Sequence, residues 1–97
     1  TRESRLRVTV PKQIISSMSD AEITDLLKFI ANEYSNAHRM NAVVVFLYAD
    51  GDDTTGDFTI ASCTYAPYAD IDKAEEVKAG DYETFDYAIT INSPTEQ

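Results

Sequence analysis

SDAEITDLLKFIANEYSNAHRMNAVVVFLYAD, residues 19–50, decides the fold, because the hydrophobic period inside it changes from helical to strand-like. Its first half opens on a capping box. Ser19 and Glu22 stand at the spacing at which each side chain satisfies an orphan amide of a first helical turn. Met18 and Ile23 occupy the two positions of a hydrophobic staple around that cap. Ile23, Leu26, Leu27, Ile30, Ala31 and Tyr34 then recur on one helical face, with Glu22, Asp25, Lys28, Asn32 and Glu33 largely on the other. His38 and Arg39 close the run, where positive charge suits the helix dipole. The spacing predicts a helix from about residue 20 to 37. AVVVFLYA (42–49) follows and is apolar at every position, as in a strand covered on both faces.

Outward from this unit the period is two. RLRVTV (5–10) sets Leu6, Val8 and Val10 against Arg5, Arg7 and Thr9, and Pro11 ends it because proline has no amide proton for a ladder. DFTIASCTY (57–65) reads as a strand joined to 42–49 by a Gly/Asp-rich hairpin loop. In 66–81, Asp72 with Glu75 is expected to start a short helix that Gly80 ends. DYETFDYAITI (81–91) gives a last strand, with Phe85, Tyr87, Ile89 and Ile91 on one side.

The expected fold class is therefore α+β. It is a four-stranded mixed sheet built β-α-β-β-(short α)-β, ferredoxin-like or split βαβ, with one long helix packed on one face. Residues 5–91 form the single domain, 1–4 a basic N-terminal arm and 92–97 a disordered polar tail. A single helix covers only one face, so the second apolar face of 42–49 requires a cover. Residues 66–80, a homodimer or another protein partner are the candidates.

With 97 residues, 43% hydrophobic and 26% charged, the chain is sized for one core and not for a deep substrate cavity besides. The net charge of −9 is uneven. Arg2, Arg5, Arg7 and Lys12 outweigh Glu3 at the start, while twelve acids face only Lys73 and Lys78 beyond residue 40. A field of that sign repels phosphate backbones, so no nucleic-acid binding is expected of the domain. No apolar run approaches the roughly 20 residues of a membrane span, so no membrane insertion by this domain is expected either.

YADGDDTTGDF (48–58) is the stretch closest to a recognisable chemistry. Read as an EF-hand from Asp50, it has Thr55 where the turn glycine belongs and Ala61 where the bidentate glutamate belongs. A looser calcium site from Asp50, Asp52, Asp53 and Asp57 is the metal candidate, set against the ordinary use of Asp and Gly in turns. Cys63 and His38 are the lone thiol and imidazole, with no third orienting group evident, and phosphate-loop motifs are absent. No catalytic residue is assigned and no enzyme activity is expected. Tyr65, Tyr68 and Tyr82 cluster around 66–81 and are the interface candidates, since tyrosine offers large contact area at low entropic cost.

FLYADGDD, TGDFTIASCTYAPYAD and the capped helix before them resemble small bacterial domains of unassigned function found in exported proteins and lipoproteins. The resemblance covers roughly residues 43–70 and implies a bacterial or phage origin and an envelope location, but no catalytic residue. The numbered sequence opens at Thr1 rather than at methionine, as it would after removal of a leader or a linker. An extracytoplasmic location, in the periplasm or envelope, is the resulting expectation. The expected function is protein–protein contact or self-association by a small acidic domain. The alternatives are a weak calcium-binding module and an acidic inhibitor or nucleic-acid mimic.

Overall fold

A computed structural model of the chain describes residues 1–92. Strand β1 spans Glu3–Val10, helix α1 Lys12–Ile15, helix α2 Asp20–His38 and strand β2 Ala42–Ala49. Strand β3 (Ala61–Pro67), a 3-10 helix (Ile71–Glu76) and strand β4 (Phe85–Ile91) follow. The sheet runs β1-β2-β3-β4, with β1 parallel to β2 and the remaining neighbours antiparallel. The α+β class and the four-stranded mixed sheet with one long helix are as the sequence indicates. The strand order is simpler than a ferredoxin-like or split βαβ sheet, in which another strand would separate β1 from β2. Here the crossover joins adjacent strands, and the last three strands meander.

Both halves of the capping box form: Ser19 Oγ accepts from the Glu22 amide at 3.1 Å, and Glu22 Oε1 accepts from the Ser19 amide at 2.9 Å. Such a cap contributes about 1 kcal/mol. At the other end Arg39 adopts the left-handed region (φ 52°) and its amide donates to Ser35 O at 2.8 Å. α2 packs chiefly on β2 and β3. Ile23, Leu27 and Ala31 meet Val43, Val45, Leu47, Ala61 and Cys63 in the main core. Each fully buried aliphatic side chain of this kind stabilises by about 1.5–3 kcal/mol.

The second face of β2 is covered without any partner, which removes the packing argument for a homodimer. At one end Ala42, Ala66 and Ala74, with Ile71, close the 3-10 helix onto the sheet. At the other end the loop 50–60 folds back. Tyr48 donates its hydroxyl to Gly56 O at 2.7 Å, and Phe58 stacks on Phe46 at 6.0 Å between centroids. This use of Phe58 explains why β3 starts at Ala61 and not near residue 57.

Other boundaries shift for local reasons. Pro11 ends β1 but also starts α1, its carbonyl accepting from the amides of Ile14 and Ile15. The 3-10 helix is capped by Asp70, whose carboxylate accepts from the Asp72 amide at 3.0 Å, rather than by Asp72. Gly80 lies beyond it at φ 90°, in a turn that only glycine enters without strain. The basic arm is mostly absorbed into the fold. β1 begins at Glu3, and Arg2 bonds Asn41 through its backbone and the His38 carbonyl through its guanidinium. Asn92 is likewise tied, its amide donating to Ile60 O, while residues 93–97 of the expected tail lie outside the described residues.

Candidate functional site

The acidic loop is built by its own carboxylates. Asp52 Oδ2 accepts from the Thr59 hydroxyl at 2.5 Å and from the Ala49 amide at 3.1 Å. Asp53 Oδ1 accepts from the amide and the hydroxyl of Thr55 at 2.8 and 2.6 Å. The Thr59 hydroxyl and the Ala49 amide hold the Asp52 carboxyl below its ordinary range, and Thr55 does the same for Asp53. Asp50 and Asp57 are exposed elsewhere in the loop. Among the described residues, no three acidic, His or Cys side chains converge in a group able to hold a metal ion. The calcium candidate set Asp50, Asp52, Asp53 and Asp57 is therefore not brought together, because Asp52 and Asp53 are turned back to close the loop.

The three tyrosines also separate. Tyr65 is 6% exposed, stacked on Tyr87 at 4.5 Å with Phe85 edge-on at 4.9 Å. Burial pushes its phenol up to about 12, reinforced by the neighbouring Tyr87. Tyr82 is half-buried, and its hydroxyl donates to Ser35 O and accepts from the Met40 amide at 3.2 Å. It finishes the C-terminal end of α2, which is why β4 begins only at Phe85. Tyr68 alone is open, at 66% exposure, on a turn where it and Ala69 both take positive φ. Two of the three interface candidates are thus structural.

Cys63 faces α2 from the middle of β3 and is fully buried. Burial raises its thiol to about 12, against a small opposing effect of the Lys28 charge, so the reactive thiolate is suppressed. His38 sits at the exposed end of α2 with its ring 4.3 Å from Tyr34. Two of the shallow depressions on the surface of the described residues gather charged side chains. One, of about 430 Å³, is lined by Glu3, Arg5, Ile71, Asp72 and Glu75. The other, of about 510 Å³, gathers Arg2, Asn36, Ala37, His38, Arg39 and Ala79. Neither brings a nucleophile to a base.

A different surface stands out, along the outer edge of the sheet at β1. Tyr34 meets Ser4 there, hydroxyl to hydroxyl at 3.3 Å, which brings the C-terminal half of α2 beside the start of β1. One and two turns earlier that side carries Ile30 and Leu26, both partly buried and packed against the core, while Phe29, two residues from buried Leu27 and Ala31 and so on the far side of α2, is 63% exposed. Leu6, Val8 and Val10 are partly buried against the main core, and α1 adds Ile14 at 53% exposure after the strand. β1 ends the sheet, so one side of its backbone has no strand neighbour. Sequence periodicity placed Leu26 and Ile30 in the core face, where both pack, and did not single out Phe29. The signal was an aromatic residue outside an otherwise well-segregated apolar stripe.

Comparison with protein-family models, with curated proteins and with solved structures finds no match for this chain. No helix among the described residues is long and apolar enough to cross a membrane.

Proposed function

We propose that the domain acts by protein–protein contact, without catalysis, through the open edge of β1. The observation that carries this reading is the unpaired edge of β1 with Ile14, 53% exposed, just beyond its end. Ile14 is one of the most exposed large apolar side chains and belongs to α1, which follows β1 directly. Exposed apolar surface next to free strand hydrogen-bonding groups is the arrangement that takes up a partner by strand addition. The suppressed Cys63 thiol and the self-satisfied loop aspartates support a non-enzymatic role.

Selection of displayed peptides on the domain, with light scattering over a wide concentration range, tests the reading. Ile14→Asp should abolish peptide capture or self-association while the melting temperature holds. Peptides captured equally by that variant, or a clean monomer that captures none, would contradict it.

A further inference from the structure

At the end of α2 the local charge runs against that of the chain. The depression of about 510 Å³ there is lined by Arg2, Asn36, Ala37, His38, Arg39 and Ala79, and among the described residues no carboxylate lines it. Cations gathered without acids are out of keeping with a net charge of −9. Among the described residues the ion pair formed is Lys73–Glu76, and no carboxylate lies within salt-bridge distance of Arg2 or Arg39.

Capping of the helix explains part of this cluster. Cations suit the negative end of a helix dipole, and the Arg2 guanidinium donates to His38 O at 2.8 Å. The Arg39 side chain is not needed for the cap, because Ser35 O accepts from the Arg39 amide and from the Tyr82 hydroxyl. With Ser35 O and His38 O both bonded, the negative end of α2 is partly masked.

Arg39 also stands where glycine would be more stable. It takes the left-handed conformation (φ 52°, ψ 70°) that ends many helices and that glycine enters without a clash. Its stem lies along the Gly80 turn, where a Cβ added to that glycine would meet Arg39 Cβ, Cγ and Cδ at 3.6–3.7 Å. Arg2 is fixed at two points, its amide donating to Asn41 Oδ1 at 2.8 Å besides the guanidinium bond to His38 O. Both arginines are thus positioned by the fold around one depression.

We infer that this depression binds a phosphoryl group, free or at the end of a small phosphomonoester. A guanidinium fork pairs with phosphate oxygens through parallel N–H donors, and two of them match the charge of a dianion better than that of one carboxylate. The N–H groups that Arg2 does not spend on His38 O remain for the ligand. A nucleic-acid backbone is not the source, since the acids beyond residue 40 repel an extended polyanion. The inference is independent of the contact reading, which uses the edge of β1.

The test titrates the isotope-labelled domain with inorganic phosphate, glycerol 3-phosphate and acetate at constant ionic strength. Phosphate should shift the amides of Arg2, His38 and Arg39 with a dissociation constant of about 1 mM, and acetate should bind at least about tenfold more weakly. Glycerol 3-phosphate binding more tightly than phosphate would support an ester as the source, and equal or weaker binding would support free phosphate. Arg39→Gly should abolish the phosphate shifts while the melting temperature holds or rises. Ala79→Glu, at an exposed position in the lining, should abolish them too. Acetate binding as tightly as phosphate, shifts scattered over other basic residues, or unchanged binding in Arg39→Gly would overturn the inference. So would the absence of any shift at about twenty times the expected constant.

Discussion

Asn41 carries the most informative stability prediction. It is 4% exposed and sits between the end of α2 and the start of β2. Its Oδ1 accepts from the Arg2 amide at 2.8 Å, and its Nδ2 donates to Ala74 O at 3.1 Å and Val77 O at 2.8 Å. One side chain thus ties the start of β1 to the 3-10 helix and the chain that follows it. Asn41→Ala removes three bonds, each with a net value of about 1 kcal/mol, and strands the Ala74 carbonyl in a buried position. The expected loss is about 3 kcal/mol, a large share of the roughly 5–15 kcal/mol typical of a domain. For a chain of this size the melting temperature should fall by on the order of 10–20 °C. Asn41→Asp is the sharper comparison. It keeps the bond from the Arg2 amide but turns a carboxylate toward two carbonyl oxygens, so it should cost at least as much as alanine. Urea titration followed by circular dichroism gives both numbers. A loss below about 1 kcal/mol for Asn41→Ala would refute the claim that this amide network holds the 3-10 helix in place.

Three further outcomes follow from particular side chains. Ser35 is fully buried and its hydroxyl has no hydrogen-bond partner among the described residues, so Ser35→Ala should stabilise by about 1 kcal/mol in the same titration. Cys63 and Tyr65 have folded-state pKa values raised from 9.0 and 10.0 to about 12. The stability this represents is fully present below the lower values and is lost as pH rises toward 12, so the melting temperature should decline across that window, and less steeply in Cys63→Ala. Millimolar calcium should leave the melting temperature unchanged, because Asp52 and Asp53 are committed to their own loop; a clear rise would show that the loop rearranges around the ion.

The sequence was most legible where one local rule acted alone. The S-x-x-E cap and the apolar stripe after it located α2 to within a residue, alternation located β1, and the unbroken apolar run located β2. Reading was poorer where a side chain serves a distant element. Phe58 and Tyr82 both continue strand-like patterns, yet one covers the second face and the other finishes α2, so β3 and β4 start later than alternation suggests. Tyr65 looked like an exposed anchor because its burial depends on Phe85, Tyr87 and Tyr82, some twenty residues on. Asn41 gave no signal at all, since its three partners are backbone groups that only the fold assembles.

Amide hydrogen exchange along β1, with and without a peptide selected on the domain, tests the contact surface most directly. In the free domain the outward amides of Glu3, Arg5, Arg7 and Thr9 should exchange quickly, and the inward amides of Leu6 and Val8 slowly. Bound peptide should slow the outward set to the level of the inward set. Protection that appears elsewhere while Arg5 and Arg7 continue to exchange quickly would contradict the account.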